Sequence, residues 1–185
     1  ANREVLREKQ TEQEAAEFQE FLEELNNCYA LLENEGYPII RMKGVEADDL
    51  AAYVVDNYAA KFDHCWMISS DKDWNLMVSN KVSQFSYVTR KETTIDNWPH
   101  NCDIEQYIDL KILQGDMGDN ISKPDGLGPK RAEGLLEQYD SVFDIEFPIQ
   151  SNLKFIQNLN EFAKEGGIER NFKLMSLLDF YGEAI

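Results

Sequence analysis

Histidine and cysteine are scarce in this sequence, and their scarcity removes whole classes of chemistry. The only histidines are His64 and His100, and Cys28, Cys65 and Cys102 are widely spaced with no C-x-x-C pair. No zinc site of the ordinary His/Cys kind can be assembled from them. An odd, dispersed set of cysteines is the usage of a reducing compartment, so no disulfide framework is expected. No stretch approaches the ~18 consecutive apolar residues of a membrane span, and the first residues are polar, so neither a transmembrane helix nor a secretory leader is expected. Positive charge is also short. Eighteen Lys and Arg against 35 Asp and Glu leave a formal net charge of -17, which opposes nonspecific adhesion to nucleic acid or anionic lipid. The expectation is a soluble, cytoplasmic protein whose contact with any polyanion rests on local basic clusters or on bound cations.

Against these absences, 43% of the 185 residues are hydrophobic and 11% aromatic, enough to bury the core of one sizeable domain and to exclude whole-chain disorder. The chain opens at an alanine inside a helical pattern, which reads as a piece of a longer protein. Residues 1–10 are charged and weakly periodic. From Thr11 to Glu35, Phe18, Phe21, Leu22, Leu25, Cys28, Tyr29 and Leu32 recur at three- and four-residue steps, the mark of an amphipathic helix. Thr11 with Glu14 spells a capping box, and Gly36 before Pro38 spells a stop. A short strand (Tyr37 to Met42), a helix (about Glu46 to Ala60) and an apolar strand (about Cys65 to Ser69) then predict a βαβ crossover in a parallel sheet, hence an α/β fold. A helical turn over 73–78 leads to alternating runs at 82–88 and 92–95, a further strand pair. Helices are expected at 103–114, 129–139, 152–164 and 168–178.

Three acidic clusters sit at the joints of this map. Glu46, Asp48 and Asp49 lie in Gly44-Val-Glu-Ala-Asp-Asp, where the first strand turns into its helix. Asp71 and Asp73 lie in Ser69-Ser-Asp-Lys-Asp-Trp, at the C-terminal edge of the second strand, the usual ligand crevice of an open parallel sheet. Asp116 and Asp119 lie in Gly115-Asp-Met-Gly-Asp-Asn, one turn apart. Carboxylates gathered this closely repel one another unless cations neutralise them. All-oxygen ligands suit Mg²⁺ or Mn²⁺, and two such ions ~4 Å apart serve phosphodiester hydrolysis. The bland reading is that acids near helix N-termini are caps and dipole partners. An EF-hand is excluded, because Leu76 and Val82 stand where that loop needs glycine and glutamate.

Directly after the third cluster, Ile121-Ser-Lys-Pro-Asp-Gly-Leu-Gly-Pro-Lys-Arg-Ala places a Gly126-Leu-Gly128 turn before a helix opening at Pro129. Backbone N–H groups at such a positive helix end suit a phosphate, and Lys130 and Arg131 add charge beside it. A backbone grip of this kind positions a duplex without reading bases. The spacing matches neither a Walker A loop nor a G-x-G-x-x-G fingerprint, and the same glycines also suit a plain helix–turn–helix connection.

In this order, Gly44 to Asp49, Ile68 to Trp74, and Leu110 to Ile121 with the glycine turn resemble the 5′-nuclease, or flap endonuclease, family, in its bacteriophage form above all. Phe85 to Glu92 and Phe155 to Asn160 support the likeness. The resemblance implies a PIN-like parallel-sheet core in one 5′-nuclease domain. Residues 1–35 would be arch and following helix, 36–102 the metal-binding α/β core, and 103–185 a helical region with a helix-three-turn-helix element. It implies two Mg²⁺ (or Mn²⁺), the first served by Glu46, Asp48 and Asp49 and the second by Asp71, Asp73, Asp116 and Asp119. It also implies a K⁺ ion at the turn, Arg3 as a basic arch residue at the scissile region, and Lys123, Gly126, Gly128, Lys130 and Arg131 as the DNA grip. The substrate would be branched or 5′-flap DNA and the protein a monomer. The family's Asp-Gly-x-Asn strand and a further early aspartate have no counterpart in the sequence. A chain that grips junctions without cutting therefore stands as an alternative, as does a receiver- or phosphatase-like Mg²⁺ protein with an aspartate nucleophile.

Overall fold

Thr11 and Glu14 cap each other, and the first helix, α1 (Glu12–Asn34), starts there: Thr11 Oγ1 accepts from the Glu14 N–H at 3.2 Å while the Glu14 carboxylate accepts from the Thr11 N–H at 2.8 Å. It ends where Gly36 adopts φ +84°, with the Tyr37 N–H donating to the Leu32 carbonyl and the Gly36 N–H to that of Glu33, a left-handed stop that glycine makes without a Cβ penalty. The computed structural model describes residues 11–185; Arg3 lies outside them. The chain divides into two units, Ala1–Lys43 and Gly44–Ile185.

In the first unit the apolar stripe of α1 is present but buries no residue. The strand expected over Tyr37 to Met42 does not form. Tyr37, Ile40 and Met42 are exposed and the segment enters no described sheet. A strand exists only through a partner for its backbone groups, and here Arg41 instead turns back to α1, donating to Asn26 Oδ1 at 3.3 Å and lying over the Tyr29 ring.

The second unit is α/β, with α2 (Ala47–Tyr58), β1 (Cys65–Ile68), β2 (Val82–Ser86) and β3 (Lys91–Thr93) followed by helices. The sheet is mixed: β1 pairs with β2 in parallel, Cys65 opposite Val82 and Ile68 opposite Phe85, and β2 pairs with β3 antiparallel. The parallel pair is thus joined through residues 69–81 and their 3₁₀ turn Asp73–Met77, and not through the helix predicted from strand 37–42. That correction leaves the acids of the 69–74 segment at the C-terminal end of β1. Ala52, Met67, Met77 and Val82 form the core beneath this sheet.

A second core joins α3 (Tyr107–Gln114), α4 (Pro129–Leu136), α5 (Lys154–Lys164) and α6 (Gly167–Met175) around Ile112, Leu113, Leu127 and Leu159. Helix α3 starts later than periodicity predicts, and at its N-cap position Gln106 Nε2 donates to the carbonyls of Leu136, Tyr139 and Asp140, at and just beyond the end of α4. The single helix predicted over 168–178 is two, α6 and α7 (Leu177–Ala184). Ser176 is extended between them and its hydroxyl donates to the Asp179 carboxylate, a break that apolar periodicity does not encode. The cysteines are free thiols, and burial, followed by the charges of Asp103, Glu133 and Asp109, pushes Cys102 up to about 11. Among the described residues no helix is long and apolar enough to cross a membrane.

Asp109, buried in α3, accepts from Ser141 Oγ at 3.1 Å. Burial pushes its carboxyl above the usual range against the bonds from Val142 and Ser141. A raised folded pKa means that folding favours the protonated form, so the ionised carboxylate costs stability at neutral pH and that cost fades as pH falls. Asp109→Asn, which keeps the acceptor and removes the charge, is expected to raise Tm at pH 7 by roughly 2–4 °C, the shift that about 1 kcal/mol makes at this size. The difference from wild type should close near pH 4; thermal melts across pH 4–8 measure it.

Candidate metal centre

Carboxylate oxygens of Asp73, Asp116 and Asp119 lie within 4.8 Å of one another. Asp73 opens the 3₁₀ turn after β1. Its amide donates to Asp71 Oδ1 at 2.9 Å, and the backbone of this segment is pinned by Gln84 Nε2, which donates from β2 to the carbonyls of Ser69 (2.9 Å) and Asp71 (2.5 Å). Asp116 and Asp119 belong to a closed loop after α3. Asp116 and Ile121 exchange both backbone hydrogen bonds, at 3.0 and 2.6 Å, and Asp116 Oδ1 accepts from the amides of Gly118 and Asp119 at 2.7 and 3.4 Å.

Gly115 makes that loop possible. Its φ of +60° and ψ of -173° lie in a region essentially reserved for glycine, and a Cβ there would meet the Ile121 carbonyl oxygen at 2.6 Å and that of Ser122 at 2.9 Å. From α6 the fully buried Asn171 donates to the carbonyls of Ile112 (2.9 Å) and Ser122 (2.7 Å), joining α3 to the far side of the loop.

The first acidic motif lies at the start of α2. Glu46 occupies the N-cap position, exposed, and Asp48 and Asp49 fall in the first turn, half-buried. Asp48 accepts from Trp74 Nε1 at 2.7 Å. Burial above all, then the charges of Asp71, Asp73 and Glu46, pushes its carboxyl above the usual range, although the Trp74 bond opposes this. These are signs that the first two motifs share one environment. Of the seven acids expected to converge, the structure thus brings Asp73, Asp116 and Asp119 within ligand distance of one another, sets Asp48 among Asp71, Asp73 and Glu46, and leaves Glu46, Asp48, Asp49 and Asp71 outside the three-acid group. All-oxygen donors at this spacing fit a hard divalent cation.

Beside the acids runs a cleft of about 360 Å³ between Asp73, Asp116 and the start of α4, lined by Lys72, His100, Tyr107 and Lys111. Lys111 pairs with Asp73. His100 stacks on Tyr107 with ring centroids 4.2 Å apart, and burial, then Lys72 and Lys111, pushes its pKa below the ordinary value. A larger cavity of about 630 Å³ near Phe147 and Ile168 contains none of the clustered acids. Beyond the acidic loop, Lys123 and Lys130 are exposed, Gly126 has φ +75° and Gly128 is the N-cap residue of α4, followed by Pro129. Arg131 Nη1 donates to the Gly126 carbonyl at 2.6 Å and its guanidinium lies over the Phe155 ring. It braces the turn with one of its donors.

Sequence reasoning missed Lys111, Trp74, Gln84 and Asn171. A lysine amid Leu110, Ile112 and Leu113 was the one visible signal, since a charge inside an apolar run needs a partner.

Residues 3–103 match the family model described as 5′-3′ exonuclease, N-terminal resolvase-like domain. The chain belongs to the 5′-3′ exonuclease family. Over its whole length it is 39% identical to the flap endonuclease of Escherichia phage T5, and over 80% of its length 30% identical to a 5′-3′ exonuclease of Aquifex aeolicus. It spans 64% and 50% of those relatives. Among solved structures, T5 5′-exonuclease with bound zinc superposes with a TM-score of 0.90 at 39% identity, covering all of this chain and 69% of that one. A pseudo-enzyme–product complex of T5 flap endonuclease with DNA and metal ions also gives 0.90, at 38% identity, over all of this chain and 68% of that one. In this 5′-3′ exonuclease family member, the acids and the glycine turn therefore sit on a fold whose relatives hold metal ions and DNA.

Proposed function

We propose that the chain is the nuclease domain of a structure-specific 5′-nuclease that hydrolyses DNA phosphodiesters at 5′ flaps and 5′ ends, acting as a monomer. The observation that carries this reading is the three-carboxylate group of Asp73, Asp116 and Asp119 in a member of this family. Asp73, Asp116 and Asp119, with Asp71, would hold one divalent ion, Mg²⁺ or Mn²⁺, and Glu46, Asp48 and Asp49 the other, directly or through water. Bound there, such ions supply Lewis-acid polarisation of the phosphate and an activated water. Lys111 balances the charge of Asp73 and holds its carboxylate in place. The turn from Lys123 to Lys130 offers exposed ammonium groups, and the positive end of the helix that follows suits duplex phosphates; Arg131 keeps the turn in shape. Arg3 would act at the scissile region, and the carbonyls of the turn would hold K⁺.

A labelled 5′-flap duplex incubated with this chain and Mg²⁺ is expected to yield product cut near the junction, with none in EDTA. One observation favours the second reading, junction binding without cutting: among the described residues, three of the four acids of one expected ligand set, Asp73, Asp116 and Asp119, lie within ligand distance of one another, and none of the other set joins them. Tight binding of the flap with no product in either Mg²⁺ or Mn²⁺ would establish it.

A further inference from the structure

The hydrogen bond from Trp74 Nε1 to Asp48 Oδ1 spans 26 positions of sequence and runs between two acidic motifs. Trp74 follows Asp73 in the 3₁₀ turn after β1, and Asp48 lies in the first turn of α2. Other hydrogen bonds of the 69–74 segment are local or run to β2 and α3, as with Asp73 to Asp71, Gln84 to Asp71 and Lys111 to Asp73. The indole ring packs on the core of Ala52, Met67 and Met77, so it cannot follow a wandering carboxylate. An indole N–H only donates, and here it engages Oδ1, one of the two carboxylate oxygens of Asp48. Asp48 needs such a hold, being half-buried among the like charges of Asp71, Asp73 and Glu46.

We propose that Trp74 is a positioning residue of the metal centre: its indole N–H orients the Asp48 carboxylate and ties the first acidic motif to the second, so that both present ligands to one basin. The inference rests on the assignment of Asp48 as a metal ligand given above. Partners that orient metal ligands are typically worth about 10- to 100-fold in metal affinity.

The test is equilibrium Mn²⁺ binding to the 185-residue chain, followed by the electron paramagnetic resonance of the free ion, with thermal melts in parallel. Trp74 is changed to Phe and, separately, to the benzothiophene analogue of tryptophan, which keeps the ring's shape and lacks the N–H. Both are expected to weaken Mn²⁺ binding about tenfold, with the analogue leaving Tm unchanged, and neither to weaken it further when Asp48 is already Asn. Wild-type affinity in the analogue would overturn the inference, as would an equal loss in the Asp48→Asn background, which marks a packing effect. A wild-type chain that binds no Mn²⁺ would overturn the metal-centre reading itself, and the inference with it; an effect confined to the variants leaves that reading standing.

Discussion

Asp116→Asn is expected to lower metal-dependent flap cleavage at least about a hundredfold while leaving the melting temperature and flap binding in EDTA essentially unchanged. The amide retains an Oδ1 that accepts from the Gly118 and Asp119 amides as the carboxylate does, so the loop keeps its shape. What disappears is one negative charge from a group whose oxygens lie within 4.8 Å of two other carboxylates. A hard cation held there would lose a direct ligand, and interactions of that kind are worth several kcal/mol, each 1.36 kcal/mol being tenfold in rate. Removing a negative charge beside a phosphate backbone also leaves binding no weaker. Cleavage kinetics, fluorescence anisotropy with labelled flap and a thermal melt separate the three effects. Unaltered turnover would remove Asp116 from the centre.

Gly115→Ala is expected to fail in a different way. The substitution adds one methyl at a backbone conformation that only glycine adopts freely, facing carbonyl oxygens at 2.6 and 2.9 Å. Strain of this kind costs of order 1–3 kcal/mol before the collision is counted. The loop can relieve the collision only by moving Ile121 and Ser122, yet Ile121 is locked to Asp116 and Ser122 is held from α6 by Asn171. Tm should fall by roughly 5–10 °C, since each kcal/mol is worth about 2–4 °C at this size, and cleavage should be lost with it because Asp116 moves with the loop. A variant with wild-type Tm and activity would show that the loop tolerates the methyl group and that its glycine is incidental.

The two variants together distinguish charge from geometry, and they also show where reading the chain by itself succeeds. The capping box at Thr11 and the stop at Gly36 were legible because each is a local bargain between neighbouring backbone groups and one side chain. Strands β1, β2 and β3 were legible as apolar and alternating runs for the same reason. Tyr37 to Met42 has the composition of a strand but makes none, since pairing is a property of two segments and only one was in view. The parallel neighbour of β1 turned out to be β2 for that reason as well. At the other end, Ser176 interrupts a regular apolar pattern through its own hydroxyl and Asp179, a side-chain contact to which periodicity is blind.

By itself the amino-acid order determined the chemistry on offer. Carboxylate oxygens in three motifs, few histidines and cysteines, and a glycine turn with lysines beside it follow from residue type and spacing alone. Which carboxylates meet was decided only by the tertiary structure. Asp73 reaches Asp116 and Asp119 because β1 pairs with β2 and α3 packs against α4 and α6, and Asp48 is held by Trp74 across a gap the chain crosses in space and not in sequence. Distances between remote side chains depend on packing summed over the whole core, and no local pattern carries that sum.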